Sequence, residues 1–111
     1  MIYNVIPIDK FKKEARRLIK KYPSLKQELF NLNTLLTSNP TAGTSLGNNS
    51  YKIRIAIKTK GTGKSGGARV ITYLITENKE VYLLTIYDKA ELDTIDDNIL
   101  RKIIKTIQSG Q

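Results

Sequence analysis

Tyr51-Lys-Ile-Arg-Ile-Ala-Ile-Lys58 alternates apolar with mostly basic residues, the period-two pattern of a strand with one face in a core. Tyr51, Ile53, Ile55 and Ile57 then point inward, and Lys52, Arg54 and Lys58 line the opposite face. Solvated surfaces normally interleave both signs of charge. From Tyr51 to Arg69 there are six basic residues (Lys52, Arg54, Lys58, Lys60, Lys64, Arg69) and no carboxylate. Residues 1–50 hold eight basic and three acidic groups, and residues 70–111 hold five and seven. The three segments thus carry +5, +6 and −2, which together make the net charge of +9. Charge of one sign packed this densely repels itself unless a polyanion shares the surface, and nucleic acid is the first candidate.

Outward from this strand, Ala68–Thr76 and Val81–Tyr87 are apolar, β-branched and aromatic runs joined by Glu77-Asn-Lys-Glu80, which predicts a hairpin. A closing helix is expected from about Ile95, with Thr94 and Asp97 as its capping box and Ile95, Ile99, Ile103 and Ile107 at i+4 spacing. Upstream, Ile2–Ile6 reads as a short strand ended by Pro7. Asp9 can cap a helix with Phe11, Ala15, Leu18, Ile19 and Tyr22 on its apolar side. The Tyr22-Pro23 step breaks it. Ser24 and Gln27 form a capping box for a second helix carrying Leu25, Leu29, Leu32 and Leu36. Ser38–Ser50 reads as a loop. The order β-α-α-β-β-β-α predicts an α+β fold, an antiparallel sheet of about four strands with two N-terminal helices and a C-terminal helix. Residues 1–111 are expected to form a single domain without repeats.

Cysteine and histidine are both absent. No thiol nucleophile, thiolate metal site or imidazole base is available, so Lys, Arg, Tyr or carboxylates must carry any chemistry. Neither a cofactor nor a metal is indicated. No run of about 18 apolar residues exists and the N-terminus lacks a basic-then-apolar leader, so a cytoplasmic location is expected.

Gly61-Thr-Gly-Lys-Ser65 resembles part of a phosphate-binding P-loop. The pattern G-x-x-x-x-G-K-[ST] requires glycine at position 58, where Lys58 stands, and a helix afterwards, where a strand is predicted. The segment is better read as a loop between strands whose backbone N–H groups and Lys64 can close over a phosphate. Arg69 opens the next strand directly after Gly66-Gly67. If the two strands pair, Arg54 and Arg69 can grip one phosphodiester from two sides. At the end of the following run, Tyr87, Asp88, Lys89 and Glu91 supply what an acid–base site without histidine needs.

Three ordered motifs, Tyr51-Lys-Ile-Arg54, Gly63-Lys-Ser-Gly-Gly-Ala-Arg-Val-Ile71 and Tyr82-Leu-Leu-Thr-Ile-Tyr-Asp-Lys-Ala-Glu91, resemble the RelE/ParE toxin superfamily of bacterial toxin–antitoxin systems, its HigB-like branch most. The resemblance covers Tyr51–Glu91 and implies a microbial-ribonuclease-like α+β fold. It also implies a ribosome-dependent endoribonuclease, a messenger RNA interferase that inhibits translation without a metal. A cognate antitoxin, a helix-turn-helix DNA-binding protein, is the implied partner. Carried over by motif, Lys52 and Arg54 are the basic strand positions, Arg69 grips the phosphate and Lys89 is the strand-end cation. Lys58, Lys60, Lys64 and Tyr73 are expected to bind RNA phosphates. Where some members carry a tyrosine that assists proton transfer, this chain has Ile95, leaving Tyr87 or Tyr73 to substitute. A lysine crowded by cations gives up its proton more readily, which makes Lys52 a candidate base. Three alternatives remain open at this point: a ParE-like inhibitor of DNA gyrase, a non-catalytic nucleic-acid-binding module, and a regulator acting only through a protein partner.

Overall fold

The computed structural model describes residues 2–58 and 66–110. Its centre is a hairpin of β4 (Ala68–Ile75) and β5 (Glu80–Asp88), both buried along nearly their whole length. Strands this apolar need cover on both faces, and both faces have it. On one side lie α1 (Asp9–Lys21) and α2 (Leu25–Ser38), whose Phe11, Ala15, Leu18, Leu25, Leu32 and Leu36 pack on Ile53, Ile55, Val70, Leu74 and Ile86. On the other lies α3 (Asp97–Gly110), whose Leu100, Ile104 and Ile107 pack on Ile71, Tyr73, Tyr82 and Leu84.

The sheet has five strands in the order β1-β5-β4-β3-β2, with β1 at Asn4–Pro7, β2 at Thr44–Gly47 and β3 at Ser50–Ile55. The sequence-based expectation of about four antiparallel strands is corrected in two places. β1 runs parallel to β5, with Asn4 opposite Glu80 and Pro7 opposite Leu83, so the sheet is mixed. β2 lies within the segment expected to be loop. It turns into β3 through Asn48 and Asn49, both at positive φ (52° and 61°), as a two-residue hairpin requires.

The helix starts also differ from expectation. Ile8 precedes α1, and Asp9 sits in its first turn without capping it. Ser24 makes no capping bond, and its hydroxyl is buried without a partner. At α3 it is Asp96 that accepts, from the Asn98 N–H at 2.7 Å, and not Thr94. Of the expected isoleucine row of α3, Ile95, Ile103 and Ile107 pack on the sheet and Ile99 does not, because spacing by four drifts around a helix of 3.6 residues per turn. Ile99 is 49 % exposed, and Leu100 and Ile104 take the buried face. No helix among the described residues is long and apolar enough to cross a membrane.

Candidate active site

Three side chains predicted to act together occupy one row across the sheet. Arg54 on β3 is directly opposite Arg69 on β4, and Arg69 is directly opposite Tyr87 on β5. Directly opposed Cα atoms stand about 4.5–5.5 Å apart. Each member is turned toward the α3 side by its neighbours. Ile53 and Ile55 commit β3 to the α1/α2 core, Ala68 and Val70 do so for β4, and Ile86 does so for β5. Lys52 stands two pairs along, opposite Ile71, and is half-buried.

Tyr87 reaches this face only through an irregularity. Tyr82 and Leu84 face α3 while Val81 and Leu83 face α1 and α2, so unbroken alternation would send residue 86 toward α3 and residue 87 away. The β4–β5 register instead shifts between Ile71 and Thr72, giving β5 one extra residue. A β-bulge of this kind re-aims the side chains beyond it, and Tyr87 joins the arginines. Glu14 of α1 holds the bulge: its Oε1 accepts from the Thr85 hydroxyl at 2.7 Å and from the Ile86 N–H at 3.3 Å. Its Oε2 is paired with Lys10 at 2.6 Å. Nothing in the sequence around Tyr87 signals this dependence on a residue 73 positions upstream.

The open end of the row is built on a close approach. A Cβ at Gly67 would run into the Ile55 carbonyl, so the glycine lets β3 and β4 converge just before Arg69. The Lys89 N–H donates to the Gly67 carbonyl at 3.1 Å, which sets Lys89 beside the row, two residues past Tyr87. Residues 89–96 then lead to α3. Their path is fixed by Glu91, which receives the Arg17 guanidinium at 2.7 and 3.3 Å and lies 3.6 Å from the Lys21 ammonium. The Arg17 hydrogen bond holds the Glu91 carboxyl below its ordinary value. Asp88 adds a second tie, accepting from the Tyr22 hydroxyl and from the Ala90 N–H, each at 3.0 Å.

Exposure differs along the row. Arg54 is exposed, whereas Arg69 is 4 % exposed and donates from Nη1 to the Ala68 carbonyl at 3.2 Å. Tyr87 is 6 % exposed, and its hydroxyl is buried with no partner at hydrogen-bonding geometry. Burial pushes the Tyr87 phenol above its ordinary value. The Ile95 backbone, the Arg69 charge and the Thr94 side chain pull it down without cancelling the effect, and Asp93 adds to the rise. The shift favours the protonated phenol. The same causes locate Asp93, Thr94 and Ile95 around the phenol.

The other predicted residues divide. Lys58 is exposed, three residues beyond β3. Lys60 and Lys64 lie outside the described residues. Tyr73 is not in the row: it sits four residues along β4 from Arg69, opposite Ser50 and Tyr82, with its hydroxyl oxygen accepting from Gln108 Nε2 of α3 at 3.0 Å. Tyr73 and Tyr87 thus belong to different places, and of the two only Tyr87 stands opposite Arg69.

No family model matches the chain. Its backbone, however, superposes on solved structures of one toxin. A double arginine-to-alanine mutant of E. coli toxin RelE in the free state matches with a TM-score of 0.61 and 19 % identity, over 84 % of this chain and 90 % of that one. The chain has the RelE fold. The isolated E. coli RelE toxin matches with a TM-score of 0.54 and the same 19 % identity, over 95 % of this chain and 98 % of that one. At that identity the likeness to RelE is one of backbone path. What the site can do rests on the row: two guanidinium groups for an anion, a protonated phenol beside them and a lysine at each end.

Proposed function

We propose that the protein is the toxin of a bacterial toxin–antitoxin module, a HigB-like member of the RelE superfamily that cleaves messenger RNA on the ribosome without a metal. The observation that carries this reading is the cross-strand row Arg54–Arg69–Tyr87 on a RelE fold. In the reaction the ribose 2′-oxygen attacks the adjacent phosphorus as the bond to the 5′-oxygen breaks, leaving a 2′,3′-cyclic phosphate and a free 5′-hydroxyl. Arg54 and Arg69 hold the extra negative charge that develops on the phosphorane, where fixed charges act most strongly. Tyr87 gives its proton to the departing 5′-oxygen, with Lys89 at the neighbouring position. Lys52, on the same face, takes the proton of the 2′-hydroxyl.

Because Arg69 and Tyr87 are buried, RNA meets Arg54 and Lys52 first, and the segment around Asp93–Ile95 must give way for the phosphate to reach Arg69. The ribosome supplies the ordered message. The opposite side of the molecule supports docking to it, since Lys12, Lys13, Arg16 and Lys20 of α1 are exposed and make no ion pair among the described residues. An antitoxin, with the helix-turn-helix architecture expected from the resemblance, neutralises the toxin by covering surface of this charge with acidic or apolar segments.

Primer extension on a translated message after induction tests the proposal. The expected result is cleavage within codons that disappears in the Arg69→Ala strain. Intact message together with blocked gyrase supercoiling would replace it with the gyrase-inhibitor reading.

A further inference from the structure

A second cluster of donors lies on the α3 side of the sheet, away from the row. Between α3 and the turn joining β2 to β3 is a cleft of about 470 Å³ lined by Asn48, Asn49, Tyr73, Arg101, Lys105 and Gln108. Arg101 and Lys105 are exposed, four residues apart on one helix face, and neither has a carboxylate within ion-pair distance among the described residues. Because Gln108 donates to the Tyr73 oxygen, the phenol proton is left to donate elsewhere. A smaller recess, which shares Asn48 and Arg101 with the cleft, is bordered by Ser50. Ser50 is 1 % exposed, and its hydroxyl has no hydrogen-bond partner. A buried hydroxyl left unmet is costly, and a ligand oxygen would meet it. Asp97 also lines the recess, so the charged oxygens of an anion are placed at Arg101 and Lys105.

Two cations, a free phenol proton, a buried hydroxyl and side-chain amides are a donor set for a phosphate group. The position specifies which phosphate. Ser50, Lys52 and Arg54 alternate on one strand, so the recess and the arginine row are separated by four residues of β3, about 13 Å. That exceeds the reach of a dinucleotide and lies along the face on which β3 carries Lys52 and Arg54.

We infer that this cleft binds a second backbone phosphate of the RNA, several nucleotides from the scissile linkage, so that the strand runs along β3 from Arg54 past Lys52 to Arg101 and Lys105. The inference rests on the ribonuclease reading for the strand's path, and on the donor set alone for the anion.

The test uses amide chemical shifts of the isolated protein with two non-cleavable probes, a 2′-O-methylated hexanucleotide and the matching dinucleotide. The hexanucleotide is expected to move the amides of Asn48, Asn49 and Gln108 together with those of Arg54 and Arg69, and the dinucleotide only the latter pair. In the Arg101→Ala/Lys105→Ala variant the cleft shifts vanish while Arg54 and Arg69 still respond. The slope of log affinity against log salt then falls by about 0.7, the share of one single-strand phosphate. Silent cleft amides with the hexanucleotide, or an unchanged salt slope in the variant, overturn the inference. Cleft shifts with an unresponsive arginine row would keep the phosphate site and overturn the path along β3. An unresponsive row with uncut message in cells would tell against the ribonuclease reading alone.

Discussion

Replacing Arg54 by glutamine should make the protein more stable and less active. Arg54 and Arg69 are directly opposed on neighbouring strands, and like charges in that position destabilise by about 0.2–1 kcal/mol. Glutamine keeps most of the stem and removes the charge. In a chain of this size the gain corresponds to a rise in Tm of about 1–5 °C. Because Arg54 is exposed, the repulsion is screened, so the rise should be largest in low salt and shrink toward zero near 1 M. Cleavage should move the other way. Losing one preorganised charge at a developing phosphorane costs about 2.7–4 kcal/mol of barrier, a rate reduction of about 10²–10³. The paired measurement is a thermal melt at two salt concentrations and primer extension, or cleavage on programmed ribosomes, with the same preparation. A lower Tm in low salt would mean that Arg54 is held by partners and not opposed by Arg69. A raised Tm with undiminished cleavage would remove Arg54 from the chemistry while leaving the geometry intact.

Tyr87→Phe should leave the fold intact and slow cleavage by about 10²–10³, within the range for losing a general acid; single-turnover kinetics on programmed ribosomes would check it, and an unchanged rate would pass the role to Lys89. The Tyr87 phenol should titrate above the ordinary tyrosine value in absorbance at 295 nm. Since the folded chain then holds this proton more tightly than the unfolded chain, stability is full below the ordinary tyrosine value of about 10 and declines as pH rises through it. Glu14→Ala leaves the Thr85 hydroxyl and the Ile86 N–H unmet and should cost about 2–4 kcal/mol in a denaturant melt; Glu14→Gln keeps an acceptor and should recover most of the stability and the activity. Gly67→Ala forces a methyl into the Ile55 carbonyl and should cost about 1–3 kcal/mol, with amide shifts concentrated at Ile55, Arg69 and Lys89.

The path from sequence to site is legible where a strand is half-buried and obscure where it is fully buried. β3 declares its faces, because Ile53 and Ile55 alternate with Lys52 and Arg54, and the side on which Arg54 emerges comes from that pattern alone. β4 and β5 declare almost nothing. Val70 and Ile71 are both fully buried, on opposite faces, so apolarity does not say which face Arg69 takes. Pairing at the right register decides it, and the register depends on Gly67 passing close to the Ile55 carbonyl. β1 is invisible as a parallel partner of β5 because its pairing is set by contacts across the whole chain. β2 is invisible because Thr44–Gly47 is short, polar and exposed throughout.

Tyr87 is the extreme case. Counted by strict alternation from Tyr82, residue 87 belongs on the α1/α2 face, and a tyrosine there could not meet Arg69. The extra residue in β5 reverses that parity, and it persists because the carboxylate of Glu14 satisfies the hydrogen bonds that a bulge leaves over. A glutamate on an amphipathic helix reads in sequence as one more solvated charge. Its oxygen is instead what aims a phenol on the far face of the sheet, and α1 and the arginine row therefore act as one unit. Any substitution on α1 that draws Glu14 away from Thr85 should impair cleavage in proportion to the population in which the bulge slips, even though α1 lies on the opposite side of the sheet from the row.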